Sequence, residues 1–245
     1  MNLLEVQGLR KTYPAFRLED VSFSVPEGAV MGLIGRNGAG KSTTLKSILG
    51  LVHPDAGRVE MFGREFSENE RYIKENIGVV LGGIDFYPKK KVRTITDVTR
   101  RFYSNWQEEK YRHYLDLFAI DENKRVDQLS SGMRVKYLLA LALSHNARLL
   151  ILDEPTSGLD PVSRDELTDL LRSIAADGTR SVLFSTHITS DLEKCASHIT
   201  FIQEGRLQRS DTLAGFMAHY ADLGSTLEEI IVAAERRPYD ADAII

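Results

Sequence analysis

The sequence has a single cysteine, Cys195, in 245 residues, so the chain cannot form an internal disulfide bond. A chain without disulfides suits a reducing compartment such as the cytosol, and we expect Cys195 to be a small buried apolar residue. The sequence also lacks an excess of positive charge, because 31 Lys and Arg residues face 35 Asp and Glu residues and the net charge is −4. No overall positive field is available to hold DNA or RNA, so we expect no nucleic-acid partner.

Long apolar runs are missing as well. A membrane-spanning helix needs about 20 consecutive apolar residues, and the most apolar stretch, residues 137–152, is interrupted by Ser144, His145, Asn146 and Arg148. We interpret this stretch as buried core. The N-terminal segment has neither an apolar signal-peptide core nor a cleavage pattern. We therefore expect a cytoplasmic protein whose membrane role, if it has one, comes through a partner.

Short apolar runs are present and alternate with segments of helical spacing, a pattern typical of strands buried on both faces of a mostly parallel sheet. Two strands with alternating apolar and polar residues, at 2–10 and 18–25, come first and predict a small antiparallel region. A strand buried on both faces is predicted at 30–34, and further short strands at 58–62 and 77–81. Short apolar runs at 149–152, 181–184 and 199–202, separated by helical stretches, predict three more strands.

The middle of the chain differs from both ends. From residue 85 to 143, aromatic and charged residues recur at helical spacing without a clear strand pattern. We therefore predict one domain over 1–245. It would comprise a core from 1–84 and 144–210, a helical subdomain at 85–143, and C-terminal helices at 211–245.

A glycine-rich segment follows the strand at 30–34 and satisfies the P-loop pattern G-x-x-x-x-G-K-[ST]. Its glycines let the backbone wrap around an anion, so that several N–H groups point at a phosphate. Lys41 brings positive charge to the β- and γ-phosphates, and the Ser42 hydroxyl is a ligand for Mg²⁺. We therefore predict an α/β fold with a P-loop NTPase (RecA-like) core. The predicted phosphate-binding residues are Gly35, Asn37, Gly38, Ala39, Gly40, Lys41, Ser42 and Thr43.

Two carboxylates end the apolar strand at 149–152. In a P-loop enzyme we expect this strand to run directly beside the strand at 30–34 and to deliver Asp153 to the Mg²⁺ shell. Glu154 is then placed to accept a proton from the attacking water. The alternative is that the two carboxylates only cap the helix that follows.

Residues 152–161, LDEPTSGLDP, resemble the Walker B motif and D-loop of ABC ATPases. Residues 129–133, LSSGM, resemble the signature motif of that family, and residues 185–187, STH, resemble its switch-histidine segment. These matches follow the family's order over nearly the whole chain. The resemblance implies a subunit that binds ATP with Mg²⁺, hydrolyses the ATP and powers a membrane transporter.

The family's roles carry over to five further positions. Ser130 and Gly132 would approach the γ-phosphate bound in a second subunit, which implies a head-to-tail pair of ATPase subunits. His187 would hydrogen-bond the γ-phosphate, and its alternative is a purely structural histidine. Asp160 would lie at the dimer seam, and its alternative is an N-cap of the next helix. Tyr13 would stack on adenine, and its alternative is a packed aromatic residue.

The sequence departs from the family after the strand at 77–81, where the family usually has glutamine. Gly82 and Gly83 stand there, and Asp85 is the nearest side chain that could replace the glutamine. Glycine can neither bind Mg²⁺ nor orient water. We therefore expect the P-loop serine and the strand-end aspartate to hold the metal with extra waters, while the Gly82-Gly83 loop moves when a partner docks.

The signature motif is also altered, with Ser131 in place of the first glycine and Met133 in place of glutamine. Together with the C-terminal segment LEEI at 227–230, this variation resembles the ABC-2 type exporter branch. The resemblance implies membrane-spanning subunits on separate chains, with this chain peripheral on the inner face of the cell membrane. Whether the ATPase pair is a homodimer or a heterodimer stays open.

Other functions compete with this one. A soluble ABC ATPase acting on ribosomes or DNA usually has two cassettes joined by a basic linker, or long coiled-coil insertions, and neither is present. A non-hydrolysing ATP-binding module is suggested by Gly82, but Glu154 and His187 argue against it. A P-loop small-molecule kinase would leave the signature segment unexplained.

Overall fold

The structure, a computed structural model, describes residues 1–81 and 87–236. The strands are β1 (Asn2–Tyr13), β2 (Phe16–Pro26), β3 (Val30–Ile34), β4 (Ala56–Met61), β5 (Arg64–Glu65), β6 (Ile77–Leu81), β7 (Leu149–Asp153), β8 (Ser181–Thr186), β9 (His198–Gln203) and β10 (Arg206–Thr212). The helices are α1 (Lys41–Ile48), α2 (Phe66–Asn76), α3 (Val92–Thr99), α4 (Glu108–Leu117), α5 (Ser131–Ser144), α6 (Pro161–Ala175), α7 (Thr189–Cys195), α8 (Leu213–His219) and α9 (Leu227–Glu235). Short 3₁₀ turns lie at Arg100–Phe102 and Val126–Gln128.

The ten strands form one sheet in the order β5-β4-β1-β2-β10-β9-β3-β8-β7-β6. The run from β9 to β6 is parallel throughout. Strands β5, β4, β1 and β2 pair antiparallel, and β10 joins the two regions by pairing with β2 and β9. The predicted α/β fold, with a mostly parallel core and a small antiparallel region, is confirmed.

One prediction about the sheet is wrong, because β7 does not lie beside β3. Strand β8 lies between them, pairing with β3 on one side and with β7 on the other. The physical reason is the crossover through α6, which returns the chain to the parallel position next to β7. The carboxyl end of β8 therefore lies between the end of β3, which leads into the phosphate loop, and Asp153 at the end of β7.

The central strands are buried on both faces. In β7, Leu149 and Ile151 pack into one apolar cluster of the core, whereas Leu150 and Leu152 pack into a second cluster on the opposite face. A strand packed in this way cannot shift by one residue without exchanging its two faces. The loops that follow the carboxyl ends of β3, β7 and β8 are therefore held in fixed positions.

The segment between β6 and β7 has an apolar cluster of its own, formed by side chains of α3, α4 and α5. At its centre the Thr96 hydroxyl contacts the Tyr111 hydroxyl at 2.7 Å and the Tyr137 hydroxyl at 2.9 Å. Tyr137 also donates to the Val92 carbonyl at 3.2 Å. Burial raises the pKa of Tyr111 to about 12, so its phenol stays protonated and needs a partner.

In the described part of the chain, no helix combines the length and the apolar character that crossing a bilayer would require.

We predict that Thr96→Val lowers the free energy of unfolding by about 1–3 kcal/mol, because it leaves the buried Tyr111 hydroxyl without its partner. The double variant Thr96→Val/Tyr111→Phe removes both partners, so much of the loss should be recovered. Urea denaturation of the three proteins measures this. A double variant less stable than Thr96→Val would contradict the prediction.

Candidate functional site

The phosphate loop, residues 35–40, joins the buried strand β3 to helix α1. Gly40 adopts a left-handed conformation with φ 112°, and a Cβ there would lie 2.9 Å from the Phe16 ring. At Gly35, a Cβ would lie 2.1 Å from the Ile202 carbonyl oxygen. Glycine is therefore required at both ends of the loop, and α1 begins directly where the loop ends, with its N-terminal dipole facing any bound anion.

Lys41, the first residue of α1, is turned into the loop, and only 5% of the residue is exposed. Its Nζ donates to the carbonyl oxygens of Gly35 at 2.7 Å and Arg36 at 3.3 Å. The same Nζ lies 3.3 Å from a carboxylate oxygen of Glu154. The ammonium group is thus already desolvated and directed at the place where the loop would hold a phosphate.

Ser42, Asp153 and Ser185 form a hydrogen-bonded chain across the ends of the strands. The Ser42 hydroxyl donates to Asp153 Oδ1 at 3.0 Å, and the buried Ser185 hydroxyl donates to the same oxygen at 2.6 Å. Ser185 Oγ also accepts the Glu154 N–H at 2.9 Å. Sequence reasoning matched Ser185 to the switch segment but missed this role, since the contact follows from β8 lying between β3 and β7.

The oxygens of Ser42 and Asp153 fit Mg²⁺, a hard cation that prefers oxygen ligands and keeps several waters when it binds beside phosphates. The described residues contain no group of three or more His, Cys, Asp or Glu side chains placed to hold a metal. The serine and the aspartate would therefore hold Mg²⁺ together with phosphate oxygens and water. Gly82, Gly83 and Asp85, which bear on the expected extra waters, lie outside the described residues.

Glu154 contacts both of the other residues predicted to be catalytic, Lys41 and His187. Its Oε2 lies 2.8 Å from His187 Nδ1, and its Oε1 faces the Lys41 ammonium. The Glu154 backbone has φ 50°, a left-handed conformation that costs a non-glycine residue about 1–3 kcal/mol. This conformation directs the carboxylate away from the strand and towards the loop and the histidine.

An open cavity of 670 Å³ lies in front of this group, a volume in the range of nucleotide and drug-sized ligand sites. Asn37, Gly38, Ser42 and Thr43 line it on the loop side, together with Glu154 and His187. Tyr13 and Phe16 line it as well; Tyr13 is 39% exposed, and the Lys11 ammonium lies 5.8 Å from the centre of its ring. Phe16 was missed from the sequence, since it lies in β2 with no motif around it.

Ser130 and Gly132 do not line this cavity. Ser130 is exposed and caps α5, with its hydroxyl accepting the Met133 N–H at 3.2 Å. The structure of one chain therefore keeps the signature segment apart from the phosphate loop.

Asp160 caps α6, because its carboxylate accepts the N–H groups of Val162 and Ser163, each at 3.0 Å. Hydrogen bonds from the side chain and backbone of Ser163 hold the pKa of Asp160 below its usual value. The N-cap alternative thus describes Asp160 in the single chain, and its place at a dimer seam stays a prediction.

The sequence matches a known protein family and is similar to characterised members of it. Residues 18–157 match the family described as ABC transporter. Over 208 residues the chain is 33% identical to the bacitracin transport ATP-binding protein BcrA of Bacillus licheniformis, covering 84% of this chain and 68% of that protein. Over 191 residues it is 39% identical to the Nod factor export ATP-binding protein I of Burkholderia orbicola, covering 76% of this chain and 62% of that protein.

The fold is similar to a solved ATP-binding subunit of an ABC transporter, with a TM-score of 0.84 and 28% sequence identity. The alignment covers 96% of this chain and all of that one. The similarity therefore extends beyond the phosphate loop to the whole arrangement of sheet and helices.

We predict that Ser185→Ala weakens the affinity for Mg²⁺ in the presence of ATP by at least tenfold, since removing a group that orients a metal ligand costs about 10–100-fold. The Mg²⁺ dependence of ATP binding measures this. Ser181→Ala is the matched control, because it removes a partly buried hydrogen bond of similar length, to the Pro26 carbonyl, at the other end of β8. Equal shifts in the two variants would contradict the prediction.

Proposed function

Because the chain belongs to the ABC transporter family of ATP-binding proteins, we propose that it binds Mg²⁺ and ATP at the phosphate loop and hydrolyses the ATP to drive an exporter. The observation that carries this proposal is the direct contact of Glu154 with both Lys41 and His187, next to the paired oxygens of Ser42 and Asp153. The proposed base, the loop cation and the Ser42 hydroxyl thus line one cavity, with Asp153 bonded to Ser42 behind it.

Lys41 changes partners when the nucleotide binds. Its ammonium group contacts two backbone carbonyls and Glu154, and the more negative β- and γ-phosphates of a bound nucleotide would attract it away from the carbonyls. The loop N–H groups and the N-terminus of α1 hold the remaining phosphate charge. Ser42 and Asp153 would hold Mg²⁺, which neutralises charge on the phosphates when it is bound.

Glu154 is the base in this mechanism. Its carboxylate accepts a proton from the water that attacks the γ-phosphorus, on the side opposite the leaving β-phosphate oxygen. His187 Nδ1, 2.8 Å from the carboxylate, fixes its orientation and leaves the other ring nitrogen free to face the γ-phosphate. Most of the rate enhancement would come from positioning and fixed charges.

A second ATPase subunit would complete the site. Ser130 and Gly132 lie outside the cavity of their own chain, so the γ-phosphate would meet the signature segment of a partner bound head to tail. Asp160 would lie at the seam between the two subunits, and Tyr13 would stack on the adenine. The pair would close when ATP binds and open after hydrolysis.

The membrane-spanning subunits would be separate chains, with this chain held on the inner face of the cell membrane. Support comes from the two relatives, named for bacitracin transport and for Nod factor export. The cargo is set by the membrane subunits.

We predict that Glu154→Gln slows ATP hydrolysis by about 10²–10⁴-fold, the usual contribution of a general base. ATP binding should be retained, and the variant should accumulate as an ATP-bound dimer. Steady-state phosphate release and light scattering measure the two effects. Glu70→Gln, an exposed carboxylate on α2, is the control. Phosphate release by Glu154→Gln at the native rate would assign the base elsewhere.

We predict that two inactive variants restore activity when they are mixed. Lys41→Ala removes the loop cation, and Ser130→Arg blocks the signature segment. Both sites of either homodimer are therefore inactive. A mixed dimer combines one intact loop with one intact signature. ATP hydrolysis by the mixture, titrated against each variant alone, measures this. A mixture as inactive as its components, while co-purification of differently tagged variants demonstrates mixed dimers, would contradict head-to-tail pairing.

A further inference from the structure

The C-terminal helix α9 ends on the phosphate loop. Its last residue, Glu235, is only 8% exposed although it carries a carboxylate. Glu235 Oε1 accepts the backbone N–H of Arg36 at 3.1 Å, and Oε2 lies 3.6 Å from Arg36 Nε. A residue 199 positions away in the sequence thus holds the loop at its second residue.

Helix α9 is anchored along its length. Leu227 and Ile230 are fully buried in the core, and the Leu227 N–H donates to Glu193 at 2.8 Å. At the other end, Gln203 donates to the Ala234 carbonyl at 3.1 Å. The Glu235 carboxylate is therefore carried by a fixed element.

The backbone contact outweighs the ion pair. The Arg36 side chain is 63% exposed, and an ion pair of that kind adds little. Burial raises the pKa of Glu235 above its usual value, so the carboxylate is placed here at a cost in free energy. The hydrogen bond from the Arg36 N–H lowers that cost and fixes the backbone.

Both backbone groups of Arg36, which belong to two successive peptide units, are hydrogen-bonded. Its carbonyl accepts the Ala39 N–H at 3.0 Å and the Lys41 ammonium at 3.3 Å, whereas its N–H is held by Glu235. When Lys41 turns to the phosphates, the carbonyl loses one of its donors. Glu235 then still holds the N–H of the preceding peptide unit, between Gly35 and Arg36.

We propose that Glu235 is a positioning residue for nucleotide binding, which acts by holding the Arg36 N–H and so fixing the path of the phosphate loop. The inference rests on the proposed function, because the ligand of the loop is taken to be ATP. The C-terminal helix is on this account a part of the nucleotide site.

The test is the dissociation constant for ATP with Mg²⁺, measured by calorimetry on the full chain. We expect Glu235→Ala to weaken binding about tenfold, the effect of losing a hydrogen bond to a charged group. Glu235→Gln keeps an acceptor oxygen and should bind within about twofold of the native chain. Glu228→Ala, an exposed carboxylate on the same helix, should bind like the native chain.

Gln203→Ala provides a second test that does not depend on whether Glu235→Ala folds. It releases the Ala234 carbonyl beside Glu235 and should weaken ATP binding several-fold. Native affinity in both Glu235→Ala and Gln203→Ala, tighter binding by Glu235→Ala, or equal loss in Glu235→Ala and Glu235→Gln would overturn the inference.

Lys41→Ala distinguishes failure of this inference from failure of the proposed function. If the native chain binds no ATP, the proposed function fails, whereas loss of binding in Lys41→Ala with native binding in Glu235→Ala overturns only the role of Glu235.

Discussion

The Asp153 carboxylate and the two hydroxyls that bond to it are the constraint on which the site depends. Ser42 comes from the helix after β3, Ser185 from the end of β8, and Asp153 from the end of β7. One oxygen atom thus ties together three segments that are far apart in the sequence. Ser185 also holds the Glu154 backbone, so the proposed metal ligand and the proposed base are both positioned by one small polar side chain.

The rest of the fold supports this group from two sides. The parallel strands, packed on both faces, fix where each loop begins, and α1 and α9 approach the phosphate loop from opposite ends. The Lys41 ammonium lies between backbone carbonyls and the Glu154 carboxylate, so opposite charges meet within the site. An incoming phosphate therefore replaces an existing set of partners and meets dipoles that need little reorganisation.

The sequence predicted the elements better than their arrangement. The bounds of β3 and β6 agree with prediction because a strand buried on both faces produces a continuous apolar run. The phosphate loop could be predicted because its glycines are required by the backbone of the loop itself and therefore form a contiguous sequence pattern. The order of β3, β8 and β7 is a property of the whole sheet, and periodicity along the chain carries no signal for it. The roles of Ser185 and Glu235 were missed for the same reason, since each depends on contacts between distant segments.

The left-handed backbone of Glu154 has a consequence for the evolution of the chain. A glycine at this position would relieve the backbone strain and lose the carboxylate, so the residue that is best for folding differs from the residue that we assign as the base. Selection for stability alone would favour the smaller residue, and selection for turnover keeps the larger one. A copy of this chain that no longer needed to hydrolyse ATP would therefore be free to drift at position 154, and would gain stability as it lost its activity.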